Sequence, residues 1–152
     1  MSVSVGDRVP EFELVDQNRE PLSSASLRGK KGIIVFIPFP FTGVCTSEAC
    51  EIPENIEGLN GLDANVVMIT THALPTTRRW AKEHGVDYPV LSDFWPHGQV
   101  AKEFGTFDDS IGVATRSTYV YDEDGIIRDI VASDSYGLAR PYAEYLAALE
   151  SL

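Results

Sequence analysis

Two cysteines, four lysines and three histidines in 152 residues leave little material for several kinds of protein. Two cysteines behind an N-terminus that lacks the basic-then-apolar pattern of a secretory leader argue against a structural disulfide framework. They point to a reducing cytoplasm in which thiols stay free. A structural zinc site wants four ligands, and His72, His84 and His97 show no paired spacing with Cys45 and Cys50, so no metal is expected. The three histidines read as surface or packing residues. The longest apolar run, Ile33-Ile34-Val35-Phe36-Ile37, is far too short to cross a bilayer. Basic residues are scarce: 12 Lys and Arg stand against 23 Asp and Glu, a formal net charge of −11. That charge repels phosphate backbones and anionic headgroups, so no nucleic acid and no membrane partner is expected. It suits a salt-rich cytoplasm and is met equally in ordinary acidic proteins. A small molecule or another protein remains as the partner.

What is present suffices for one domain spanning 1–152, since 43% hydrophobic and 10% aromatic residues are enough for a packed core. Phe12 to Val15 reads as a short strand of an N-terminal β ribbon, running into a turn at 16–19. Residues 32–39, opened by Gly32, are rich in β-branched and aromatic residues and read as a strand buried on both faces, and 65–71 repeats the pattern. Helical character over 43–59 between them implies a parallel pair. A helix is expected from Pro75 to His84 with Gly85 as its stop, then a strand at 88–91 and a short helix at 99–104. Strands at 115–121 and 126–132 flank Asp122-Glu123-Asp124-Gly125, a hairpin turn with glycine at its last position. An amphipathic helix over 140–149 closes the chain, with Tyr142, Leu146 and Leu149 on one face. The fold class is α/β, a thioredoxin-like three-layer domain whose mixed sheet is parallel in its first half and antiparallel in its second.

Chemistry concentrates in Pro38-Phe39-Pro40-Phe41-Thr42-Gly43-Val44-Cys45. Thr42 stands where a helix N-cap would, which sets Cys45 in the first helical turn. Unpaired N–H groups and the positive end of the helix dipole favour a thiolate there. Attack of that thiolate on one peroxide oxygen moves charge from sulfur to the leaving oxygen. Thr42 supplies a hydroxyl for both sulfur and peroxide, Val44 and Cys45 supply backbone donors, and Pro38, having no N–H, walls off water. Arg116 is the fixed cation best placed to lower the thiol pKa and orient a peroxide, because it opens a late strand that can lie beside the first. Against this stands the ordinary reading, in which a cysteine after a strand is a small hydrophobe and an Arg at a strand end is solvated or paired.

Pro38-x-x-x-Thr42-x-x-Cys45 resembles the active-site signature of the peroxiredoxins. The resemblance covers nearly the whole chain: Gly6-Asp7-Arg8-Val9-Pro10-Glu11-Phe12-Glu13-Leu14 is similar to the family's opening segment. Ser92-Asp93-Phe94-Trp95-Pro96-His97-Gly98 resembles the alkyl hydroperoxide reductase E group. The resemblance implies a thiol peroxidase with no cofactor, in which Cys45 becomes a sulfenic acid, Arg116 is the catalytic arginine and Glu48 supports the network. Its partners would be a peroxide substrate and a thioredoxin-type or low-molecular-weight thiol reductant. Phe94 and Trp95 read as core, or else as a homodimer contact beside Pro96 like that of similar peroxiredoxins.

Cys50, five residues after Cys45, is spaced as in the atypical two-cysteine members of the bacterioferritin comigratory protein group, where the second thiol resolves the first. The alkyl hydroperoxide reductase E group typically lacks it. Five helical residues put Cα atoms roughly 8.6 Å apart. Bridged cysteines rarely exceed about 7 Å, so a Cys45–Cys50 disulfide requires local unwinding. Pro53, which cannot donate to the carbonyl of Ala49, would ease it; alternatively Pro53 merely begins a second short helix. Without resolution by Cys50 the chain would be a one-cysteine enzyme using an external thiol. A redox sensor or holdase is the reading from another class. A thiol-disulfide oxidoreductase is disfavoured, because Glu48 stands where a C-x-x-C pair would place its second cysteine.

Overall fold

The structure is a computed structural model that describes residues 2–41, 64–86, 88–132 and 147–152. The expected helix at 43–59, Pro53 and most of the closing helix lie outside the described residues. The chain enters through β1 (Glu13–Val15) and β2 (Pro21–Ser23), an antiparallel ribbon followed by a 3-10 turn at Ser24–Leu27. Then come β3 (Gly32–Phe36), β4 (Asn65–Thr70), α1 (Leu74–Glu83) and β5 (Val90–Ser92). After α2 (Gln99–Phe104) a small hairpin pairs β6 (Phe107–Asp108) with β7 (Val113–Ala114). β8 (Ser117–Tyr121) and β9 (Ile127–Ala132) complete the sheet.

Seven strands lie in the order β2-β1-β5-β4-β3-β8-β9. β5, β4 and β3 are parallel, while β8 and β9 on one side and β1 and β2 on the other are antiparallel. The parallel part is therefore the centre of the sheet rather than its first half, because the N-terminal ribbon docks antiparallel on β5 through Val15 and Ser92. Gln17 secures that docking by donating to Tyr88 O at 2.8 Å and accepting Val90 N–H at 2.8 Å.

Alternation along β3 explains the layers. Ile33, Val35 and Ile37 point into a core shared with Trp80 and Ala81 of α1 and with Leu149, whereas Ile34 and Phe36 face Val100, Ala101 and Phe104 of α2. With every residue of β3 buried, the strand has no polar face, as a central parallel strand requires. Helices on both faces make three layers, and residues 147–150 are helical, in line with the closing helix. β3 ends at Phe36 instead of Phe39, since Pro38 and Pro40 cannot donate to a ladder; Ile37 N–H still reaches Ile69 O at 3.0 Å.

Candidate active site

Pairing of Phe36 with Ser117 aligns β3 and β8 antiparallel, so the end of β3 and the beginning of β8 meet at one end of the sheet. Ile37 and Pro38 continue from β3, Arg116 immediately precedes Ser117, and both Pro38 and Arg116 are buried. Arg116 is only 1% exposed, among the largest side chains so enclosed. A charge held there is screened little by water.

The backbone around Arg116 is pinned by hydroxyls. Thr106 bonds the hydroxyl of Thr115, and Thr106 and Thr115 each lie 3.1 Å from Ser117 Oγ. Thr115 N–H donates to Thr106 O at 2.6 Å, which ties the approach to β8 back onto the end of α2. The β6–β7 hairpin creates this trio by returning residue 115 to residue 106. Burial pushes the neighbouring Tyr119 phenol up, and hydrogen bonding to Thr106 and Ser117 only partly offsets that.

On the other side of β3, the segment that carries the motif is held against β4. Phe39 is half-buried and presents its ring to His72 at 6.5 Å between centroids, tilted by 70°. His72 Nδ1 lies 3.0 Å from Thr70 Oγ1, and the His72 carbonyl accepts the Ser92 hydroxyl at 2.5 Å. Burial first, and the nearby His97 second, hold the His72 imidazole below its ordinary value of 6.5. His72 therefore belongs to the surroundings of this segment, whereas the sequence marked it only as a surface or packing residue. Phe41, half exposed, adopts φ 70°, a left-handed conformation that costs a residue with a Cβ energy. That strain stands one position before Thr42.

A further set of bonds ties the neighbouring turns together. The Gly112 carbonyl faces the Thr71 hydroxyl at 3.4 Å and His97 Nε2 at 2.8 Å, and His97 Nδ1 lies 3.2 Å from Phe94 O. Phe94 and Trp95 are exposed, 48% and 82%, so their reading as core residues is wrong. The polar neighbours of this turn explain the placement: buried Asp93 spends both carboxylate oxygens on the N–H groups of Val100 and Ala101, at 3.1 and 2.9 Å, and so turns the two following aromatics outward.

Of the residues singled out in the sequence, Pro38 and Arg116 are thus brought to one end of neighbouring strands. Thr42, Val44, Cys45, Glu48 and Cys50 lie outside the described residues. Among the described residues no group of three or more His, Cys, Asp or Glu side chains could hold a metal ion, and no helix is long and apolar enough to cross a membrane.

Residues 5–130 match the AhpC/TSA family. The chain belongs to that family. It is a peroxiredoxin, an enzyme of the thiol peroxidase class. It is 38% identical to alkyl hydroperoxide reductase E of Mycobacterium tuberculosis over 127 residues, 83% of each chain. It is also 30% identical to the chloroplastic peroxiredoxin Q of Sedum lineare over 151 residues, 99% of this chain and 80% of that one. Its fold is similar to the crystal structure of peroxidoxin BcpB from Mycobacterium tuberculosis, with TM-score 0.84, 30% identity and 97% of each chain covered. The structure of AhpC from Enterococcus faecalis is similar too, with TM-score 0.88, 27% identity and coverage of 99% and 92%. As a peroxiredoxin of the alkyl hydroperoxide reductase E and bacterioferritin comigratory protein type, the chain carries out thiol-dependent peroxide reduction.

Proposed function

We propose that Cys45 is the peroxidatic residue and that hydrogen peroxide or an organic hydroperoxide is its substrate. The Cys45 thiolate attacks the terminal peroxide oxygen, the O–O bond breaks, and the departing oxygen takes a proton to leave as water or an alcohol. Sulfur is oxidised to a sulfenic acid and the peroxide is reduced. Arg116 stabilises the thiolate and orients the peroxide, Thr42 bonds sulfur and oxygen in turn, and the N–H groups of Val44 and Cys45 meet the developing charge. Pro38 excludes water and Glu48 supports the network. The observation that supports this reading is the β3–β8 register, which brings the buried Arg116 and Pro38 to the same end of the sheet.

Cys50 then attacks the sulfenic acid and releases water, forming a Cys45–Cys50 disulfide once the intervening turn unwinds. A thioredoxin-type or low-molecular-weight thiol donor in the cytoplasm returns both thiols. Two copies pair through Phe94 and Trp95, whose exposure suits an apolar contact between copies. Intact mass of the reduced protein after one equivalent of peroxide tests the resolving step. Loss of two hydrogens is expected. A gain of one oxygen, persisting in the wild type, rules out resolution by Cys50 and leaves an external thiol to do it.

A further inference from the structure

Along the outer side of α1, Leu74, Arg78 and Lys82 are spaced four apart and share one stripe of the helix, with Pro75 and Arg79 beside it. The opposite side, Thr77, Trp80 and Ala81, is buried. Arg19, from the turn between β1 and β2, closes over this stripe, so that Arg19, Leu74, Pro75, Arg78, Arg79 and Lys82 line a cavity of about 260 Å³. Four of the chain's 12 basic residues are gathered there, in a protein with 23 acidic ones.

Three features set this cluster apart, although its basic side chains are exposed to solvent. Arg79 is paired, with Nε 2.5 Å from Glu83, but among the described residues the side chains of Arg19, Arg78 and Lys82 make no hydrogen bond or ion pair. Arg78 and Lys82 form a like-charge pair one helical turn apart, which works against the helix. Arg19 reaches its position with φ 66°, a left-handed conformation usually left to glycine or asparagine, held by its N–H bond to Asp16 O at 3.0 Å. A bound anion would offset the repulsion, and the apolar floor of Leu74 and Pro75 admits a short carbon skeleton.

From this cavity we propose a binding subsite for a small polyanion that carries two or more carboxylate or phosphate groups on a short chain. The position of the cavity suggests a use. Leu74 follows two residues after His72, whose ring lies beside Phe39 at the start of the motif segment, so the Leu74 end of the cavity is the end nearer that segment and Lys82 lies toward the other end of α1. Peroxide reduction consumes two thiols per turnover, giving an alcohol or water, a further water and one disulfide. A carboxylated thiol would be held by this subsite; a polyanion without a thiol would occupy it as an effector. The first use rests on the peroxidase reading, whereas anion binding itself does not.

Calorimetric titration of the reduced protein with citrate and with pyrophosphate at low ionic strength tests the site. One equivalent of each should bind, and Arg78→Gln with Lys82→Gln should weaken both about tenfold. Lys30→Gln with Lys31→Gln, an equal charge change on another surface, should leave binding unaltered. Equal binding to the wild type and the Arg78/Lys82 variant overturns the proposal, as does absence of binding at millimolar concentration. Kinetics then separate the two sources. If the reductant is the occupant, the Arg78/Lys82 variant raises KM for glutathione, which has two carboxylates, and leaves KM for neutral 2-mercaptoethanol and kcat unchanged. If both KM values stay unchanged while citrate binding falls, the occupant is an effector.

Discussion

Arg116 sits in a strand-end position where its neighbours, not its own rotamer preferences, decide what it can do. A lysine there would keep the charge and lose the planar fork that can hold a thiolate and a peroxide together. Arg116→Lys should therefore lower the second-order rate of peroxide consumption roughly a hundredfold while circular dichroism stays native. A rate within threefold of wild type would deprive Arg116 of its role. Pro38, in a spaced motif, and Arg116, a cation at the start of a late strand, could be singled out in the sequence because each stands at a strand end. The Thr106, Thr115 and Ser117 hydroxyls around Arg116 were not, since their meeting depends on a hairpin that only the folded chain forms. His72 was read as a surface or packing residue, and its packing partner Phe39 was not legible for a similar reason: the contact joins segments that follow two strands far apart in sequence.

At the scale of the element, the turn into α2 is the most demanding part of the described chain. Gly98 adopts φ 69° at the N-cap of α2, and a Cβ on it would run into the ring of Phe107. Gly98→Ala should cost about 2–4 kcal/mol in urea denaturation, from left-handed strain and overpacking together; a cost below 1 kcal/mol would contradict the packing described. Asp93, capping the same helix, has its carboxyl pushed up from 3.8 to about 6, chiefly by burial and slightly by Glu103, against the pull of the Ala101 and Val100 N–H groups and of His97. The folded protein thus binds this proton more tightly than the unfolded chain. Stability from Asp93 is greatest below 3.8, declines as the pH rises to about 6 and is level above. Relative to Asp93→Asn, the wild type should lose on the order of 2–3 kcal/mol across that window, and a flat difference would contradict the assignment. The long buried strands and both described helices were readable from apolar runs and stop signals. β2, β6 and β7 escaped because two or three residues carry no periodicity. The parallel centre of the sheet was hidden because the docking of β1 on β5 depends on Gln17 reaching across the chain.

At the scale of the whole molecule, a notable surface feature among the described residues is the exposed apolar group of Phe94, Trp95 and Ile111, joined through His97 and Gly112. If two copies meet there, Trp95→Glu should shift sedimentation at micromolar concentration from dimer to monomer, with the isolated fold intact. A wild type that sediments as a monomer throughout that range would exclude the pairing. The central claim concerns a single sulfur, and the most direct test is stopped-flow consumption of hydrogen peroxide by the reduced protein. Wild type and Cys50→Ser should each consume the first equivalent rapidly, and Cys45→Ser should consume none; peroxide loss in Cys45→Ser at the wild-type rate would contradict the account.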